Sequence, residues 1–139
     1  MIVLDTNVIS EPLRPRADPA VQVWLDRQPK ESLYLSAPSL MELMLGIALL
    51  SEGRRERGLA MAIEELLAHF FADRFLAFGR EAAVAYAALA RRAMAKGRPI
   101  GVVDCQIAAI AAVHGFAVAT RDTAPFVAAG VPTVNPWVE

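Results

Sequence analysis

Four acidic residues stand where a chain can turn a carboxylate into a reagent: Asp5, Glu42, Asp104 and Asp122. Asp5 ends the apolar run Met1-Ile2-Val3-Leu4, as a buried parallel strand does when it hands a polar group to the crevice beyond its C-terminal edge. Asp122 follows Phe116-Ala117-Val118-Ala119-Thr120 in the same way. Glu42 is the only charge in the oily stretch from Ala37 to Leu50, and Asp104 falls in the first turn of a helix expected from about Val103 to His114. Carboxylates gathered in one place repel unless a cation sits among them. The chemistry such a set suggests is an acidic metal site, the reagent used on phosphates.

Each acid also has a purely structural reading. Asp5 and Asp122 are placed to cap the helix that follows, and a carboxylate at Asp104 favours the positive end of its helix dipole. Ser39-Leu40-Met41-Glu42 matches a capping box, in which the glutamate reaches back to the cap. Pro38, however, is better placed as a first-turn proline after Ser36, which moves Glu42 a turn into the helix and leaves it in need of a partner.

The elements that must position these acids follow from patterning. Short apolar strands are expected at the N-terminus, at Leu33-Tyr34-Leu35-Ser36, around Arg74 to Phe78, at Phe116 to Thr120 and around Pro132 to Asn135. Between them lie a short helix from Thr6 or Asn7 through Glu11, a helix opened by Asp18-Pro19 and running to about Gln28, one from Ala37 to about Leu50, one from Arg54 to Phe71, an Ala-rich one from Arg80 to Lys96, and a short one near Pro125 to Ala128. Alternating strands and helices with short connections predict an α/β fold, a central, mostly parallel twisted sheet flanked by helices on both faces, in a single domain over residues 1–139.

Composition narrows the chemistry. One cysteine, Cys105, excludes an internal disulfide and a cysteine-rich zinc site, and with His69 and His114 as the only histidines the abundant ligands are hard oxygens. A bound metal is therefore expected to be Mg²⁺ or Mn²⁺. The net charge of −1 supplies no broad basic field. Of the cationic residues only Lys30 and Lys96 are lysine, and arginine is the better bidentate partner for phosphate. Arg54, Arg55 and Arg57 read as a solvated helix face. Arg121, beside Asp122, is placed either to touch a substrate or to pair with an acid. Cys105 reads as a small core residue, His114 as a helix-end cation, and Trp24 and Trp137 as core or interface residues. A hydrophobic content of 55% invites a homodimer interface. No apolar run is long enough for a bilayer and no signal-peptide pattern opens the chain, so a cytoplasmic protein without a membrane partner is expected.

Taken together, Asp5-Thr6-Asn7, Glu42 in its apolar helix, Asp104 with Cys105-Gln106-Ile107-Ala108-Ala109, and Thr120-Arg121-Asp122 resemble the PIN-domain ribonucleases, in particular the toxin components of VapBC antitoxin-toxin pairs. The opening LDTNVISEPLRP, the TRDT stretch and the closing NPW resemble the FitB branch of that group. The resemblance implies a nuclease in which Asp5, Glu42, Asp104 and Asp122 are both catalytic and metal-holding, with Thr6, Asn7, Thr120 and Arg121 in support. Many relatives carry Asn at the place of Asp122. An RNA substrate, a homodimer, and a small DNA-binding antitoxin forming a heterotetramer or larger assembly are implied in the same way.

Rival readings differ in particular residues. A haloacid-dehalogenase-type phosphatase needs an acid two places after its nucleophile, where this chain has Asn7; a phosphate-receiver domain needs a lysine after a late strand, and neither lysine is there. A FitB-like subunit acting mainly in a DNA-binding regulatory complex stays open, because the acids that hold a metal can equally receive an antitoxin arginine.

Overall fold

The computed structural model describes residues 1–139. Five strands, β1 (Ile2–Leu4), β2 (Leu33–Ser36), β3 (Phe75–Leu76), β4 (Ala117–Ala119) and β5 (Thr133–Val134), form one sheet in the order β3-β2-β1-β4-β5. Every pairing is parallel, with Ile2 of β1 opposite Leu33 on one side and Ala117 on the other. The chain builds outwards from β1 to β3, then returns to lay β4 on the other flank of β1. Such a reversal leaves a crevice at the carboxyl ends of the two strands, here just beyond Leu4 and Ala119.

Seven helices cover the sheet: α1 (Thr6–Ser10), α2 (Pro19–Arg27), α3 (Ala37–Ala48), α4 (Arg54–Glu65), α5 (Arg80–Ala95), α6 (Val102–His114) and α7 (Thr123–Ala129). Side chains alternate faces along a strand, so neighbouring residues feed different cores. Val3 and Val118 pack with Leu89 of α5, Ile107 and Ile110 of α6 and Phe126 of α7. Leu4 and Ala119 pack on the opposite side with Val8, Trp24, Leu43 and Ile63 from α1 to α4. Burial on both faces explains why β1 reads as an uninterrupted apolar run.

Three local outcomes differ from the patterning. The first helix stops at Ser10, and Glu11–Leu13 continues as a 3₁₀ turn holding Pro12 near its start, where a missing N–H costs nothing. Buried Glu11 accepts from the Asp18 backbone N–H at 2.9 Å and from Arg14 Nη1 at 3.1 Å, which fixes the Arg14-Pro15-Arg16 turn. The helix expected to reach Phe71 is regular only to Glu65, and Leu66–Phe70 widens into a π-turn closed by the Phe71 N–H on the Leu66 carbonyl at 2.7 Å. That turn seats buried Phe71 against Phe70, with ring centroids 4.6 Å apart. Finally, β3 is only two residues long; Arg74 instead donates from Nε to the Leu33 carbonyl at 3.0 Å and from Nη2 to the Phe70 carbonyl, tying the π-turn to the start of β2.

Candidate active site at the carboxyl edge of the sheet

The first residues past β1 and β4 meet at the crevice. The Asp5 N–H donates to the Ala119 carbonyl at 2.9 Å, extending the strand pairing by one step and bringing Asp5 beside Thr120. Asp5 then caps α1: its Oδ1 accepts from the Thr6 N–H at 2.7 Å. Its Oδ2 accepts from the Thr120 hydroxyl at 2.8 Å. Both oxygens are therefore oriented, and capping and site placement are combined in one buried side chain.

Thr120 is itself fully buried and works in two directions, because its Oγ1 also accepts from the Asp122 N–H at 3.2 Å. Asp122 occupies the capping position of α7 but makes no side-chain capping bond, so its exposed carboxylate is left free. Capping does not account for this residue.

Glu42 comes from α3. Ser36 is the cap of that helix, its Oγ accepting from the Ser39 N–H at 3.4 Å, and Pro38 lies in the first turn. The capping box from Ser39 is thereby replaced, and half-buried Glu42 takes the Thr6 hydroxyl on Oε1 at 2.5 Å. Ser39 turns inward instead, its hydroxyl donating to the Leu4 carbonyl at 3.4 Å, which docks the start of α3 on the end of β1. That bond was not legible from the sequence, where an S-x-x-E spacing points Ser39 to the wrong task.

Asp104 sits in the first turn of α6, after the extended Gly101, and is half-buried. Burial first, then the charges of Asp5, Glu42 and Asp122, pushes its carboxyl up to about 6, and no hydrogen bond draws it back. Burial also raises Asp5, against the lowering influence of Thr120 and the Thr6 N–H, with Glu42 and Asp122 adding to the rise. Asp5 and Asp104 thus both lie in the electrostatic field of Glu42 and Asp122.

None of the four is paired with a cationic side chain. Arg121 does not neutralise its neighbour: the exposed guanidinium lies over the Trp137 ring, 5.3 Å from the centroid. Its backbone is gripped on both sides, the N–H donating to Asn7 Oδ1 at 3.4 Å and the carbonyl accepting from Asn135 Nδ2 at 3.3 Å. Asn135 Oδ1 in turn accepts from the Trp137 N–H at 3.0 Å. The closing NPW motif thus belongs to the rim of the crevice. Cys105 is buried, with its thiol toward the Tyr86 carbonyl at 3.7 Å, and burial pushes that thiol up, away from nucleophilic use.

Oxygen donors with no cation among the side chains are the donor chemistry that suits a hard dication. As the side chains stand, no three of the His, Cys, Asp and Glu groups form a ready coordination set. The carboxylates share a field rather than a coordination sphere.

The PIN domain family profile matches residues 2–131. VapC ribonuclease Y4jK of Sinorhizobium fredii is 47% identical over 99% of this chain and 98% of its own length. Toxin FitB of Neisseria gonorrhoeae is 46% identical over 99% of each chain. Among solved structures, FitAB bound to an IR36 DNA fragment superposes with a TM-score of 0.94 at 45% identity, covering 99% of this chain and 96% of that one. A five-stranded parallel sheet, a profile spanning nearly the whole chain and relatives matched end to end lead to one conclusion: the chain belongs to the PIN domain family, in the VapC toxin group and its FitB-like branch.

Proposed function

We propose that the protein is a Mg²⁺- or Mn²⁺-dependent endoribonuclease, the toxin half of a toxin-antitoxin pair, and that Asp5, Glu42, Asp104 and Asp122 are its catalytic, metal-holding residues. The observation that carries this reading is that Asp104, at the switch point of the sheet, lies in the field of Asp5, Glu42 and Asp122, with no cation paired to any of the four. The names of the relatives support it, one being a VapC ribonuclease and another a toxin.

A dication held by these acids would supply Lewis acidity toward a phosphodiester and a water of lowered pKa. Asp5, held by Thr120 and the Thr6 N–H, offers a fixed lone-pair direction. Glu42 is oriented by Thr6, and Asp122 is kept at the mouth by the bond from its N–H to Thr120. Asp104 accepts no hydrogen bond, and burial with its neighbours' charge pushes its carboxyl up to about 6, which suits it to take the proton of the attacking water. In-line attack would release a 3′-hydroxyl and a 5′-phosphate, without a covalent enzyme intermediate.

A small DNA-binding antitoxin is the partner this reading requires, and the FitAB relative solved on DNA favours it. A homodimer within a heterotetramer or larger assembly is part of the same proposal. No helix is long and apolar enough to cross a membrane.

The purified chain, freed of any antitoxin, should cut single-stranded RNA with Mg²⁺ or Mn²⁺ and stop with EDTA. Asp5→Asn and Asp104→Asn should abolish cleavage while the fold melts cooperatively. Absence of cleavage under all these metals would favour the second reading, in which the uncompensated acids receive an antitoxin arginine and the subunit serves a DNA-binding regulatory complex.

A further inference from the structure

An arginine beside four carboxylates is expected to pair with one of them, and Arg121 does not. Its backbone is clamped between Asn7 and Asn135, and its guanidinium rests over Trp137, whose own backbone the same Asn135 secures. The cation is thereby held at the lip of the crevice, one residue from Thr120 and Asp122, and left open to solvent. A guanidinium on an aromatic ring is a fixed cation that still has a free side.

We infer that Arg121 on Trp137 forms a nucleotide subsite, in which the base next to the scissile phosphate of single-stranded RNA stacks on the guanidinium while the positive charge steadies the adjoining backbone. This inference rests on the nuclease reading above. Single-stranded RNA is commonly held by stacking unpaired bases on aromatic rings or arginine planes, a device that tolerates any base. The acidic crevice repels the RNA backbone, so a cation at its edge has a specific task. Arg121 is a positioning residue in this scheme, separate from the acids.

The test uses a short oligoribonucleotide with one cleavage site, in saturating Mg²⁺ or Mn²⁺, and the same oligomer with an abasic residue at each flanking position in turn. Arg121→Ala should raise KM about tenfold, as expected for one lost base stack, and leave kcat within about twofold. Arg121→Lys should keep the salt dependence of KM but not its low value, because the charge remains and the plane is lost. One abasic position should raise the wild-type KM about as much, and have no further effect on Arg121→Ala. Since Arg121 is exposed, the variants should melt with the wild type. Equal KM for wild type and Arg121→Ala, or abasic and Arg121→Ala penalties that simply multiply, would overturn the subsite while leaving the nuclease intact. A wild-type protein that cuts no RNA would instead remove the nuclease reading, and the subsite with it.

Discussion

The Thr120 hydroxyl donates to Asp5 Oδ2 at 2.8 Å across 115 positions of sequence, and the same oxygen accepts from the Asp122 N–H. One buried hydroxyl thus fixes an acid after β1 and orients the backbone of another after β4. Thr120→Val keeps the shape and removes the bridge. The buried Asp5 oxygen loses its donor, which should cost about 1–3 kcal/mol in chemical denaturation. RNA cleavage should fall with it, and Thr120→Ser should recover both. A Val variant with wild-type stability and activity would mean the bond is incidental.

Thr6 plays the corresponding part for Glu42, but at a half-buried position. Thr6→Val should therefore change stability by less than about 1 kcal/mol while lowering kcat roughly tenfold, since misplaced groups at a reacting centre are punished in rate more than in folding. Parallel melting and kinetic measurements separate these effects; a loss seen only in stability would assign Thr6 to the scaffold.

Asp104 makes the metal-free protein sensitive to pH. Its carboxyl sits at about 6 in the fold against 3.8 in the open chain, chiefly through burial. A raised folded pKa stabilises below the lower value, and that contribution is lost as pH rises through the upper one. In EDTA, Asp104→Asn should thus match the wild type near pH 4 and exceed it at pH 8 by about 1 kcal/mol, after allowing for partial solvent screening. Added Mg²⁺ should raise the Tm of the wild type more than that of the variant, because only the wild type keeps all four of the proposed ligands. A variant less stable than the wild type at pH 8 in EDTA would show that the charge is compensated by something other than a dication.

Far from the crevice, Gly130 ends α7 with φ +88°, and a Cβ there would come within 2.1 Å of Arg92 Nη1, which donates to the Ala129 carbonyl at 3.3 Å. Gly130→Ala should cost about 1–3 kcal/mol. Combined with Arg92→Ala, the remaining penalty should shrink to that of the left-handed backbone, about 1 kcal/mol. Additive losses in a denaturation cycle would rule out the clash.

Arg121 and Glu42 show how far local reasoning reaches. The sequence places Arg121 next to Asp122 and leaves pairing open; the fold sends its side chain to Trp137, sixteen positions on by their numbers, because Asn7 and Asn135 grip the backbone from either side. At Glu42 the choice between two capping schemes was already tilted by Pro38, and the fold agrees with the proline. The π-turn at Leu66–Phe70 left no local mark, since it answers to where Phe70 and Phe71 must pack.

By itself the sequence determined the order of strands and helices, most of their limits and the family, because apolar period, proline and capping residues act over a few positions and are written in order. Only the tertiary structure decided that β4 returns to the flank of β1, and with it which polar groups meet: Thr120 with Asp5, Thr6 with Glu42, Arg121 with Trp137. Those contacts depend on strand order and helix docking, which no local pattern encodes, and the proton affinity of Asp104 follows from them through burial and its neighbours' charge.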